Sequence, residues 1–252
     1  MKTKATYLLL IAMCTTLLST SLSGSAAKQD QKQNAPYKIM CVGDSITQGG
    51  QKSREEYTYR LPLQKLLHEA KISFDFTGSR KAGLDSRAVW PDIAEGVPFD
   101  PDHEGYYGFK TRDAVNKVMA AWKKDSPAPD AVLIHLGTND QGNTPHDETV
   151  QKPLREFIVF LRTKNPNVVV LLGHLNFNHS KGANSIRPLV EELSKEMNTK
   201  ESPVITVHHY KGWFEMPGQP QSDTFDWAHP NPQGQMKMAK AWLEALTPYL
   251  PK

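Results

Sequence analysis

Apolar residues follow two alternating rhythms between Tyr37 and Leu246. Nearly continuous apolar runs fall at Tyr37–Gly43, Ala131–Leu136, Val168–Leu172 and Val204–Val207, too short for helices and rich in Val, Ile and Leu. Such runs predict strands buried on both faces. Ile72–Gly78 alternates instead, setting Ile72, Phe74 and Phe76 on one side as a half-buried strand does. Between these runs the spacing becomes helical. Tyr59–Ala70 carries Leu63, Leu66 and Leu67, Thr111–Trp122 carries Ala114, Val115, Val118, Met119 and Trp122, and Leu154–Leu161 carries Leu154, Phe157, Ile158 and Leu161. Ile186–Met197 gives a fourth helix, and Pro232–Leu246, with Met238, Ala239, Trp242, Ala245 and Leu246 inward, a fifth. Five strands alternating with helices predict an α/β fold whose parallel sheet is covered on both faces. The connection from Ser79 to Lys110 has no period, yet it holds Trp90, Tyr106, Tyr107 and Phe109. It reads as an ordered lining of a crevice.

Ahead of this domain, Lys2 and Lys4 precede an apolar stretch from Tyr7 to Leu18, then the small residues Gly24 to Ala27 and the polar run Lys28 to Asn34. This order predicts a signal peptide over 1–27, a polar segment over 28–36 and one domain over 37–252, in a secreted or periplasmic protein. The stretch is short of the ~20 apolar residues that span a bilayer, so no stable membrane span is expected after cleavage. Lipid attachment at Cys14 is the rival reading, disfavoured by Met13 where a small residue would be expected. Without the leader, 28 basic residues face 27 acidic ones. That near balance excludes an electrostatic nucleic-acid binder. Cys41 is then the only cysteine, placed inside an apolar run, where packing is its expected role.

Four polar patches break the apolar rhythm where strands end. Gly43-Asp44-Ser45 closes the first run and offers Ser45 as a nucleophile at the sheet edge where α/β folds place ligands, although the same triplet suits a capped turn with Gly43 at positive φ. A serine needs a base, and the base an orienting partner. Asp226-Trp227-Ala228-His229 supplies both, with Pro230, Asn231 and Pro232 fixing the entry to the last helix. Gly137-Thr138-Asn139-Asp140 follows a strand and offers the Asn139 amide to an oxyanion. His103-Glu104-Gly105-Tyr106-Tyr107-Gly108 offers the N–H of Gly108 or of Gly105 for the same purpose. The pairs His208-His209, Asp102-His103-Glu104 and His174 with His179 lack zinc spacing, and a serine triad needs neither metal nor cofactor.

Together the four patches resemble the SGNH hydrolases, the GDSL esterase superfamily, whose first block stands here as Gly43-Asp44-Ser45-Ile46-Thr47-Gln48-Gly49. The resemblance spans nearly the whole domain and implies a flavodoxin-like three-layer α/β/α sandwich with five parallel strands. It implies Ser45 as nucleophile, Asp226 and His229 as the acid–base pair, and Ser45, Gly108 and Asn139 as oxyanion donors. Tyr59-Arg60-Leu61-Pro62-Leu63, Asp75 to Ser79 and His103 to Gly108 are similar to secreted carbohydrate O-acetylesterases, including acetylxylan esterases. A serine esterase that removes acetyl or other short acyl groups from carbohydrate is therefore expected, acting through an acyl-enzyme. A lysophospholipase or thioesterase for longer chains and a non-catalytic glycan binder are the alternatives. The aromatics Tyr210, Trp213 and Phe214 could stack on sugar rings or cover the core under their loop.

Overall fold

The computed structural model describes residues 35–51 and 56–251, so the predicted signal peptide and the polar segment as far as residue 34 lie outside the described residues. The strands are β1 (Tyr37–Gly43), β2 (Phe74–Thr77), β3 (Glu104–Gly105), β4 (Ala131–His135), β5 (Val169–Gly173) and β6 (Val204–Val207). All pair in parallel, in the order β2-β1-β4-β5-β6. The short β3 continues the β2 side of β1, with Val42 opposite Glu104 and Gly43 opposite Gly105, beyond the Met40–Thr77 pairing where β2 stops. It lies inside the connection from Ser79 to Lys110, and its two residues carry too little pattern to predict a strand.

Alternation within each strand divides the core. Met40, Val42, Val132, Ile134, Val170 and Leu172 face one side, where they meet α3 (Thr111–Ala121), α4 (Lys152–Lys164) and α5 (Lys181–Met197). Ile39, Cys41, Leu133, Val169 and Leu171 face the other, against Leu63 and Leu67 of α2 (Arg60–Glu69) and Met238, Ala239 and Trp242 of α6 (Pro232–Leu246). Every residue of β4 and β5 is buried, as continuous apolar runs require. Cys41 packs here as expected, and burial pushes its thiol up to about 12.

Some boundaries differ from the pattern. Ile72 does not open β2, because Lys71 takes a left-handed φ of 59° and the Ile72 N–H returns to Leu67 O at 3.0 Å, which ends α2. At the start of α5, the Ser180 hydroxyl accepts from Ala183 N–H at 3.2 Å, so the helix begins ahead of Ile186 and runs through Pro188. Asn231 caps α6 through Gly234 N–H at 3.0 Å, with Pro232 in the first turn. The sheet order reverses direction between β1 and β4, so the carboxyl ends of these strands open onto the crevice where such folds bind ligands.

Candidate active site

β1 ends against its neighbours. A side chain on Gly43 would place Cβ 2.1 Å from Thr47 Oγ1 and 2.8 Å from His135 O, so glycine is required by close approach. Its φ is not in the left-handed region, which corrects the turn-φ reading of the triplet. The chain enters α1 (Ser45–Gln48) at once, and Asp44 Oδ1 accepts from Ile46 N–H at 2.9 Å. Ser45 thus occupies the first helical position, 4% exposed, and its N–H has no acceptor among the described residues.

Arg60 pins α1 to the segment at Pro101. This fully buried guanidinium donates to Thr47 O and Pro101 O at 2.9 Å and to Gln48 O at 3.2 Å, and it lies 5.3 Å from the Phe99 ring and 5.4 Å from the Trp90 ring. Carbonyls left open at the end of a one-turn helix are satisfied by a rigid fork of donors. Burial lowers the Arg60 pKa to about 10, so it stays charged at neutral pH.

The chain's end completes the arrangement. His229 Nε2 lies 2.9 Å from Ser45 Oγ, and His229 Nδ1 lies 2.9 Å and 3.0 Å from the two Asp226 oxygens. An ionised carboxylate only accepts, so Nδ1 carries the ring proton and Nε2 is left to accept from the Ser45 hydroxyl. Asp226 Oδ1 also accepts from the N–H groups of Ala228 and His229, each at 2.9 Å, which folds the segment into a tight turn. The three groups can therefore pass a proton from Ser45 to His229 while Asp226 steadies the imidazolium.

Residues 107–109 knit the rest of the site to this triplet. The Tyr107 ring stacks on His229, centroids 5.3 Å apart, and Tyr107 N–H donates to Gln48 Oε1 at 2.8 Å. The Phe109 carbonyl accepts from Asn139 Nδ2 at 2.9 Å, which leaves the amide a second N–H to offer. Gly108 lies between them with φ 76° and an N–H that no described residue accepts. The Gly105 N–H, by contrast, is engaged. It is taken by His103 Nδ1 at 2.9 Å, and the place of Gly105 in β3 is set by α1, since a Cβ would meet Gln48 N at 2.4 Å. Gly137, at φ 116°, turns the chain after β4 into the 3-10 turn Thr138–Asp140, and Asp140 Oδ2 ties that turn to α3 through the N–H and hydroxyl of Thr111, both at 2.8 Å.

Beneath the site, Asp44 and His135 are both fully buried. Burial raises the Asp44 carboxyl pKa, and the neighbouring His135, the Ile46 N–H, the Thr138 hydroxyl and His229 oppose that rise. Burial lowers the His135 pKa, against the pull of Asp44. His135 Nε2 pairs with Asn176 Oδ1 at 2.9 Å. Spacing alone gave no signal for this pair, because the two residues meet only through the β1–β4 register, with Gly43 opposite His135.

The histidines singled out in the sequence separate into distinct roles. His103 has both ring nitrogens engaged, by Gly105 N–H and by Ala82 O at 3.1 Å, and burial pulls its pKa down to about 2. It is a structural link. His179 pairs with Glu215 at 2.9 Å on the surface and does not meet His174. His174 instead meets His208, Nδ1 to Nδ1 at 3.1 Å, with Glu191 Oε1 3.4 Å from His174 Nε2. These three are the grouping among the described residues that could hold a metal ion, joined across 34 positions where no local spacing would reveal it. The positive charges of Arg187 and Lys211 act on both imidazoles and weigh against a cation there. Of the loop aromatics, Trp213 is core, 5% exposed, and Tyr210 lies under the Arg187 guanidinium at 3.7 Å. Trp227, which the sequence reading passed over, is 62% exposed beside Asp226.

A parallel α/β sandwich that presents a serine, an imidazole and a carboxylate at its switch point is the architecture of an SGNH hydrolase. Residues 41–237 match the GDSL-like Lipase/Acylhydrolase family, and the chain belongs to that family. A multidomain esterase of Ruminococcus flavefaciens is 28% identical over 236 residues, 84% of this chain but 29% of that protein. The chain therefore spans less than a third of that relative's length. A carbohydrate esterase family 3 structure from Talaromyces cellulolyticus is 25% identical with a TM-score of 0.66, covering 84% of this chain and 97% of the other. A family 3 carbohydrate esterase of Clostridium thermocellum is also 25% identical, with a TM-score of 0.64 and coverage of 85% and 96%.

Proposed function

We propose that the protein is a secreted serine esterase that removes acetyl groups from carbohydrate. The observation that carries the chemistry is the unbroken line from Ser45 Oγ through His229 to Asp226. His229 takes the hydroxyl proton as Ser45 attacks the ester carbonyl, and the N–H groups of Ser45 and Gly108 with the Asn139 amide receive the oxyanion. Collapse of the tetrahedral intermediate expels the alcohol, protonated by His229. Water, deprotonated by the same imidazole, then attacks the acyl-enzyme and frees the acid and Ser45.

The carbohydrate and acetyl parts of the reading draw on the two family 3 carbohydrate esterases and on the loops around Ser45, Asn139 and Asp226. Gln141–Glu148 and Gly218–Asp223 are mostly polar. A channel for a long acyl chain needs apolar walls, since each buried methylene contributes about 0.8 kcal/mol. The expected order of kcat/KM on aryl esters is acetyl, then butyryl, then octanoyl, with acetate released from acetylated xylan. Preference for octanoyl esters and no acetate from any glycan would replace this reading with a lysophospholipase-type one.

A further inference from the structure

We propose that the Trp227 indole is a binding platform for a pyranose ring of the glycan whose ester is cleaved, an inference that rests on the carbohydrate reading above. Single exposed apolar side chains are ordinary on protein surfaces, so exposure by itself means little. Trp227 differs in two respects. It is the one aromatic among the large apolar residues exposed in the described chain, the others being Leu84, Val89, Val159 and Met216, and it stands one residue from Asp226 and two from His229.

Its position is also fixed from both sides. The turn that carries it is closed by Phe225 N–H to His229 O at 2.8 Å, by the Thr224–Pro230 bridge, and by the two N–H groups on Asp226 Oδ1. The Phe177 ring stacks with the indole at 6.2 Å and 22°, and is itself 3% exposed. Phe177 is braced in turn: its carbonyl accepts from Arg187 Nη2 at 2.9 Å, and the next residue, Asn178, donates to Tyr210 O and Trp213 O at 3.0 and 2.9 Å. An indole carried on a closed turn and stacked on one side loses less freedom when a ligand covers its open face than one on a loose loop would. What it offers is a flat apolar face amid polar groups. A pyranose with equatorial hydroxyls matches it, because its C–H bonds line the two faces and its hydroxyls point outward to water. A partner protein would need a contiguous apolar patch, and one indole does not make one.

The test compares Trp227→Ala and Trp227→Phe with wild type on acetylated xylohexaose and on p-nitrophenyl acetate. The ratio of kcat/KM for the oligosaccharide to that for the aryl ester should fall about 10-fold in Trp227→Ala, mainly through KM, and Trp227→Phe should restore most of it. Calorimetric titration of the Ser45→Ala protein with xylohexaose should show a dissociation constant that rises by a similar factor when Trp227→Ala is added. If both substrates lose rate equally, Trp227 acts through the turn that holds Asp226 and His229, and the platform is refuted. A wild-type protein that deacetylates the oligosaccharide with no response to Trp227→Ala refutes the platform and leaves the esterase reading standing. Failure to release acetate from the oligosaccharide removes both.

Discussion

Two histidine-bearing groups stand at the carboxyl edge of one sheet, one with His229 and one with His174 and His208, and their ring nitrogens meet opposite kinds of partner. His229 has a carboxylate on Nδ1 and a hydroxyl on Nε2. His174, directly after β5, shares Nδ1 with His208, and burial first, then the charges of His208, Arg187 and Lys211, pull its pKa down to about 3. A base that must accept a proton needs a negative partner to hold the cation it becomes. The first group has one in contact, whereas at the second Glu191 stands 3.4 Å away and is outnumbered by cations. Residue type and position in the fold are alike, so the partners decide which histidine can work as a base.

Exchange of either active partner should give the largest effect. Ser45→Ala and His229→Ala are each expected to lower kcat by about 10⁴-fold or more with the fold intact, and Asp226→Ala somewhat less. His208→Ala, at the second group, should leave kcat on p-nitrophenyl acetate within about 2-fold, and EDTA should change nothing. Wild-type turnover in folded Ser45→Ala would end the mechanism. Inhibition by EDTA that zinc reverses would give His174, Glu191 and His208 the role denied them here.

The next largest effect belongs to the oxyanion side. Asn139→Ala should lower kcat by ~10² to 10³ with little change in KM, because the amide meets a charge that exists only in the transition state. The two glycines should part in kind. Gly105→Ala drives a Cβ to 2.4 Å from Gln48 N, so it should lower the melting temperature before it is assayed for rate. At Gly108 a Cβ has open space and only the φ of 76° opposes it, so Gly108→Ala should fold and lose roughly 10-fold in kcat through a displaced N–H. A kcat-only loss in Gly105→Ala would return that residue to the oxyanion hole.

Much of this was legible in the chain because it depends on short-range pattern. The apolar runs at β1, β4 and β5 and the residues Gly43 to Gly49 and Asp226 to His229 carry their own signals, and strand order brings Ser45 to the edge. What could not be read arises from register and from chain ends meeting across the fold. The residues alone leave Gly105 as a competitor to Gly108, and the fold separates them through His103 Nδ1 on the Gly105 N–H, the packing of Gly105 against Gln48 and the left-handed φ of Gly108. Asp44 finds His135, and His174 finds His208, through strand neighbours alone. Arg60 looks like an ordinary helix-start residue, yet its fork of bonds to Thr47, Gln48 and Pro101 sets the nucleophile's turn. Trp227 and Trp213 are likewise indistinguishable by composition, and burial places one in the core and the other at the surface.

A different kind of effect is expected on stability, and it tests whether the second group of histidines is truly neutral. His103 and His174 have native pKa values near 2 and 3 against an ordinary 6.5, and those of the buried His135 and His209 are lowered as well. In each case the unfolded chain binds the proton more readily than the folded one. Their contribution is therefore complete above pH 6.5 and is lost as the pH falls from there, because each unfolded imidazole takes up a proton that the folded one refuses. Asp44 runs the other way, since its raised carboxyl pKa favours the folded state at low pH and ceases to as the pH climbs above 3.8. Burial raises Asp100 and Asp140 as it does Asp44, and the five histidines that burial lowers, His208 among them, outnumber these three acids. The urea midpoint should thus fall steadily from pH 7 to pH 5, and His174→Gln should make that fall shallower by about one proton's worth. A midpoint that stays level over this range would mean that these imidazoles gain protons in the folded protein. His174 would then stand as a charged group beside Glu191, and the contrast with His229 would lose its physical basis.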